Sequence, residues 1–403
     1  MVEFEERVSR ALTSRFNDPH RHRRLIGHKA RTFDFQFHPT EHYAVSAGED
    51  HCARLWELDG SRCIKVLEAK GKQAEFLRVC WAPPGTERVV LATGSADGTV
   101  RLWGRSPSVT VGGDDGLSSQ LSSLKVLGKL QHRDRAKGLD GQIYSCQFVH
   151  DGGDIGQDDN QAAGGSLGLL TASDCSVHLW DVETQERRVS RALLKVGSHS
   201  IGGERNPEDL PFVFDAKPRP GSGSSPIAVA LSDSTVRVGD ILRNPDQPHV
   251  LKPEGGQTHL TALAWAEDGT VLVSCAGDGS MTVWDARTWT PRAVLRGHGR
   301  PVYGAMFYPC AANSTSGNES QQLLLSWSSD ETICTWDVTR ASLTGTKPLS
   351  TLFAGPRFPI FHCALSVNGG FLAMAGGDSA SSFIGVPIKI IEIHDDEAPQ
   401  GTG

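Results

Sequence analysis

The sequence predicts an all-β fold, a closed ring of seven four-stranded antiparallel sheets. Three observations predict it. A step of six residues from an Asp to a Trp, with alternating apolar residues between them, recurs along the chain. Two further short apolar runs separated by a Pro or Gly turn precede each copy. The 403 residues include 44 Gly and 21 Pro, the turn supply that many short strands need.

The recurring frame reads "DHCARLW" (Asp50 to Trp56), "DGTVRLW" (Asp97 to Trp103), "DCSVHLW" (Asp174 to Trp180), "DGSMTVW" (Asp278 to Trp284) and "DETICTW" (Asp330 to Trp336). A sixth copy, "DSTVRVG", keeps Asp233 but has Gly239 in the Trp position. A seventh begins at Asp378 and resumes as "PIKIIEI" after a Ser-rich insertion. Successive Asp residues lie 45 to 77 residues apart, and the short spacings suit one four-stranded unit per copy.

First strands upstream are "TFDFQFHP", "FLRVCWAP", "IYSCQFVHDG", "PFVFDAKP", "LTALAWAEDG", "VYGAMFYP" and "IFHCALSVNG". Second strands follow, among them "YAVSAG", "VVLATGS" and "VLVSCAG", and the Asp turn and the Trp-ending strand come next. One such sheet cannot bury both of its faces. Stacking seven around an axis buries them and leaves short, protected edges.

These residues resemble the WD40 family of β-propellers. "LWDV" at 179–182, "VWDA" at 283–286 and "TWDV" at 335–338 match its naming dipeptide, and Gly27-His28 and Gly297-His298 match its second marker. The resemblance covers roughly residues 20–395 and implies a seven-bladed β-propeller. It also implies a hydrogen-bonded chain in each blade from the turn Asp through the GH His and a strand Ser or Thr to the Trp. Two blades carry all four: His28, Ser46, Asp50, Trp56, and His298, Ser326, Asp330, Trp336. Blade two keeps Thr93, Asp97 and Trp103 but has Lys72 at the His position. Blade four lacks the Trp, and blade seven lacks Trp and Ser, so these are expected to be the looser blades. Residues 21–26, "RHRRLI", precede the first GH and are expected to close the ring as the outer strand of the last blade, removing an open edge.

The expected organisation is an N-terminal helix or extension at 1–19, the propeller at 20–395, and a disordered tail at 396–403. In the helix, Phe4, Val8, Ala11 and Leu12 share one face and "NDP" stops it. It packs on the propeller side or serves as a docking helix for a partner. Gly/Ser-rich insertions are expected at 104–136, 151–166, 197–225 and 312–320. The basic run "HRHRRLIGHKAR" at 20–31 reads as a solvated edge strand, with a small acidic- or RNA-binding patch as the alternative.

Several function classes are disfavoured. The net charge of −7 does not suit a surface built for nucleic acid. The nine cysteines include no CxxC pair, so neither a disulfide framework nor a zinc module is expected. P-loop, HExxH, GxSxG and dinucleotide Gly motifs are missing. No cofactor or metal is expected, and a small-molecule substrate is not favoured. The N-terminus lacks the apolar core of a signal peptide and no run reaches membrane-spanning length, so the expectation is a cytoplasmic or nuclear chain.

The family resemblance implies partner binding on the top face, within a multiprotein complex. Counted from the GH His, the fifth residue faces that opening in the family: Phe33, Leu77, Tyr144, Phe212, Thr261, Tyr303 and Phe361. They share the phase of Phe35 and Phe37, so burial is the competing reading. The third position adds Arg31, Glu75, Gln142 and His259. Aromatics with such neighbours have the makeup of a peptide-binding hot spot. "VWDAR" at 283–287 also resembles the box of WD40 substrate receptors of cullin-4 ubiquitin ligases, with Asp285 and Arg287 as adaptor contacts. The leading expectation is a non-catalytic interaction scaffold. Alternatives are a ligase substrate receptor and, third, a propeller enzyme.

Overall fold

The computed structural model describes residues 4–40, 42–68, 74–86, 88–105, 117–134, 139–150, 167–192, 211–222, 225–242, 248–253, 258–309, 322–377 and 387–393. The expected insertions at 151–166 and 312–320 and the expected tail at 396–403 lie outside them.

Blade one shows how sequence becomes sheet. Its strands are Thr32–Phe37, Tyr43–Gly48, Cys52–Glu57 and Arg62–Glu68, paired in that order and antiparallel. Alternation sends Val45 and Leu55 to one face and Ala44 and Trp56 to the other, and all four are fully buried. Both faces are covered because a neighbouring blade stands on each side. The other blades repeat the order, with inner strands Phe76–Trp81, Ile143–His150, Val213–Pro218, Leu260–Trp265, Val302–Phe307 and Ile360–Leu365.

The seventh sheet closes the ring. Its outer strand is His22–Leu25, antiparallel to Ile388–Glu392, with Leu25 opposite Ile388 and His22 opposite Ile391. Buried side chains fall into seven clusters, one at each junction between neighbouring blades. The junction of blades seven and one, with Leu25, Phe35, Trp56, Ala373 and Ile390, is built like the others, so the ring has no weak seam there.

Helix α1 (Phe4–Phe16) lies against the two outer strands of blade six and reaches Ile388–Glu392 of blade seven. Leu12 and Phe16 join the core shared by blades six and seven, and Val8 packs against it. Ser9 is 3% exposed, with its Oγ 2.7 Å from Thr335 Oγ1 and 3.0 Å from Ser350 Oγ. The side of α1 that carries Val8, Leu12 and Phe16 is therefore occupied by the propeller itself, while Ala11, expected on the same face, is exposed. Residues 117–131, inside the expected insertion at 104–136, form α2 (Leu117–Ser122) and the outer strand of blade two, Lys125–Gln131. The tail end of the 197–225 insertion holds the inner strand of blade four.

The Asp turns share one backbone device. In five blades the residue after the turn Asp adopts positive φ: His51 at 62°, Gly98 at 71°, Ser234 at 63°, Gly279 at 86° and Glu331 at 70°. In blade three Asp174 itself does so, at 39°. The glycine of the GH pair has a different reason. A Cβ on Gly27 would sit 2.8 Å from Trp56, and one on Gly297 would sit 2.9 Å from Trp336. The loop crosses directly over the buried indole, and only Gly allows that approach.

Candidate functional site

The four-residue chain is complete in blades one and six. His28 Nδ1 lies 2.8 Å from Asp50, its Nε2 lies 2.7 Å from Ser46 Oγ, and Trp56 Nε1 donates to the same Oγ at 2.8 Å. His298 repeats this with Asp330 (3.0 Å), Ser326 (2.8 Å) and Trp336. Trp103, Trp180 and Trp284 likewise donate to Thr93, Thr171 and Ser274.

Two features were not anticipated from the motif. Blade three has its histidine after all: His132 bonds Thr171 Oγ1 and Ser173 Oγ, each at 2.9 Å. A two-stranded ribbon, Arg133–Asp134 with Leu139–Asp140, separates it from its inner strand. Blades two and four hold the turn Asp by an arginine four residues on. Arg101 reaches Asp97 at 3.0 Å and Arg237 reaches Asp233 at 3.2 Å, both from buried positions. Arg54 adds the same pair to blade one, 3.1 Å from Asp50.

The top face, where the chain enters each inner strand, owes its character to a repeated β-bulge. Every inner strand skips one residue in its pairing. The skipped residues are Phe33, Leu77, Tyr144, Phe214, Thr261, Tyr303 and Phe361. A bulge re-aims its side chain, so these residues leave the phase of Phe35 and Phe37. All seven are partly exposed, whereas Phe35 is fully buried and Phe37 nearly so. In blade four the bulged residue is Phe214, two positions beyond Phe212. Phe212 is 48% exposed and stands ahead of the strand, its N–H donating to Ser232 Oγ.

The bulged rings gather in two groups. Phe361 lies 5.4 Å from Tyr303 and 5.7 Å from Phe33, centroid to centroid, spanning blades six, seven and one. Phe214 lies 5.8 Å from Tyr144 and 5.3 Å from His259, spanning blades three to five. Leu77 and Thr261 interrupt the circle. Arg31 stands over Phe33 and forks onto Glu49 at 2.6 and 2.9 Å. Gln142 accepts from the Tyr144 hydroxyl at 2.8 Å, and Glu75 is partly exposed beside Phe76.

Beneath the rings a cavity of about 500 Å³ runs along the axis, lined among others by Asp34, Arg78, Asp215, Lys217 and His362. Asp34 accepts the N–H of Val79 from the next blade at 2.9 Å, and Asp215 accepts that of Leu263 at 3.0 Å. Arg78 donates to the Tyr144 carbonyl at 2.7 Å. These charged groups staple neighbouring inner strands. Burial lowers the His362 pKa, against the pull of Asp34 at 3.2 Å. On the opposite face, Asp285 ends the third strand of blade five and accepts the N–H groups of Arg287 and Thr288. The Arg287 side chain is 79% exposed and 3.5 Å from Asp285.

Fold and top face together define a seven-bladed β-propeller with an aromatic entry surface. The family model described as "WD domain, G-beta repeat" matches residues 20–57, 61–104 and 248–285. The chain carries WD40 repeats within a seven-bladed β-propeller. It is 39% identical over 83 residues to nuclear distribution protein PAC1 of Yarrowia lipolytica, covering 20% of this chain and 18% of that protein. It is 23% identical over 344 residues to Denticleless protein homolog B of Xenopus laevis, covering 82% and 44%. Denticleless protein homolog of Homo sapiens is 22% identical over 300 residues, covering 70% and 38%. The chain spans less than half the length of these curated relatives. No helix among the described residues is long and apolar enough to cross a membrane.

Proposed function

We propose that the chain is a non-catalytic interaction scaffold that captures a peptide segment of a partner protein on its top face. The observation that carries this reading is the bulge repeated in all seven inner strands, which lifts an aromatic ring out of the core in five of them. Two-torsion aromatic side chains offer contact area at little entropic cost, the usual makeup of interface anchors. The carboxylates of the turns and axis bind main chain or neighbouring side chains within the fold, which suits a structural role for them. The test is affinity purification with quantitative mass spectrometry of the wild type and of Phe33→Ala and Tyr303→Ala. Partner recovery falls in the variants while their melting temperature holds. An unchanged partner set would refute the assignment.

A second reading is a substrate receptor of a cullin-4 type ubiquitin ligase. The exposure of Arg287 at an outer turn favours it. Arg287→Ala would then lose the adaptor and keep the top-face partners.

A further inference from the structure

A cleft of about 280 Å³ opens on the top face where blades six, seven and one meet. Arg31, Arg300, Arg357, Ser329, Glu331 and Phe361 are among its lining residues. The three arginines come from three successive entry loops, so three blades each contribute one guanidinium.

Their commitments differ. Arg31 is held by Glu49. Arg300 and Arg357 are exposed and have no carboxylate partner among the described residues. Glu331 forms no ion pair with either of them; its carboxylate accepts the main-chain N–H of Arg357 at 2.9 Å and leaves one negative charge against three guanidiniums in the cleft. That bond also holds Arg357 at a φ of 58°, a left-handed conformation outside the Asp-turn pattern. Two uncommitted guanidiniums in one cleft run against a chain whose net charge is −7.

We propose that this cleft receives a phosphorylated Ser or Thr side chain of the partner peptide, between Arg300 and Arg357, with the adjoining residue on Phe361. The proposal rests on the peptide-capturing reading of the top face. Donor count favours phosphate over carboxylate. Each guanidinium presents five N–H groups in a planar fork, and one fork satisfies the two oxygens of a carboxylate. A phosphate ester offers three terminal oxygens and nearly two charges, enough to engage both forks. Phe361, packed on Tyr303 and Phe33, supplies the rigid apolar floor beside them.

The experiment probes the full chain against three immobilised degenerate peptide libraries. They differ only at a central position, which is phosphoserine or phosphothreonine, the unmodified residue, or Glu. The phosphorylated library is retained at least tenfold better than the other two, retention falls with added salt, and millimolar inorganic phosphate competes. Arg300→Ala and Arg357→Ala each cut that preference at least tenfold, while Arg10→Ala, on the exposed side of α1, leaves it intact. Melting curves confirm that the variants are folded. Equal retention of phosphorylated and unmodified peptides, or a preference that survives both cleft variants, overturns the proposal. Equal retention of the Glu library assigns the cleft to carboxylates and overturns it too, as does no retention in any arm. Unmodified peptides that bind and are lost in Phe33→Ala would leave the top-face reading standing without the phosphate site.

Discussion

Arg54 lies 3.1 Å from Asp50, and that ion pair separates the histidine of blade one from its counterpart in blade six. Ser46 pairs with Arg54 across blade one, and in the same register Ser326 pairs with Cys334. Both histidines touch a carboxylate and a serine. Burial lowers the pKa of His28, and Arg54 draws on the Asp50 charge that would oppose this. Burial works against the charge of His298 as well, but its hydrogen bonds to Asp330, which has no such arginine, and to Cys334 prevail and raise it to about 9. One motif therefore titrates in two directions.

The pH dependence follows from these directions. His298 favours its charged form in the fold, so its contribution is complete below about pH 6.5 and drains away up to about pH 9. His28 favours its neutral form, so its contribution is complete above about pH 6.5 and is lost on acidification. Melting temperatures of His298→Gln and His28→Gln across pH 5 to 9 will show their largest deficits at opposite ends, roughly 5 and 9. Parallel profiles would contradict the role given to Arg54.

Ser326 accepts from the Trp336 indole and bonds His298. Ser326→Ala strands both partners in the core. The expected loss is roughly 1–3 kcal/mol, read as a lower urea midpoint at unchanged slope.

Arg101 is 4% exposed and bonds Asp97 and Ser95. Arg101→Ala leaves the carboxylate without its cation, at a cost of about 3 kcal/mol. Although burial opposes it, hydrogen bonding from Ser95 and Arg101 holds the Asp97 pKa below the ordinary carboxylate range. Its contribution is thus present above about pH 4 and lost as the pH falls below that. In the variant, this acid-sensitive part of the unfolding profile shrinks.

Phe214 and Phe212 separate two registers of the top face. Phe214→Ala weakens partner capture by about tenfold or more, while Phe212→Ala leaves it near wild type. Affinity measurements on the captured partner decide it, and the reverse order would place the blade-four contact outside the bulge.

Leu25 is 1% exposed in the strand that closes the ring. Leu25→Ala removes core shared by blades seven and one and costs about 2–5 kcal/mol in chemical denaturation. Arg24→Ala, exposed on the same strand, changes stability by less than about 0.5 kcal/mol.

The ring was legible because its signal is repeated: five Asp-to-Trp frames and two degenerate ones place every blade. Closure was legible because "RHRRLI" has no other strand to pair with. His132 was hidden by the ribbon inserted between it and Ile143, which breaks the count from histidine to strand. Phe214 was missed for a related reason. Blade four has no GH landmark, and a count cannot see the bulge that selects the displaced residue. The arginines were in plain view, four residues after the Asp in "DHCARLW", "DGTVRLW" and "DSTVRVG". Only the fold shows that they stand in for or accompany the histidine. The basic cleft is the least legible feature, because Arg31, Arg300 and Arg357 are far apart in sequence and only the closed ring joins them.

The pairing of Leu25 with Ile388, 363 residues away, also sets an order of events during synthesis. The first strand of the ring needs the ring's last one. Until that strand has been made the nascent chain carries an unsatisfied segment, so cooperative closure of the ring waits for it. Such distant pairing is slow and leaves the growing polypeptide open to aggregation, which makes chaperone dependence the expected signature of its biogenesis.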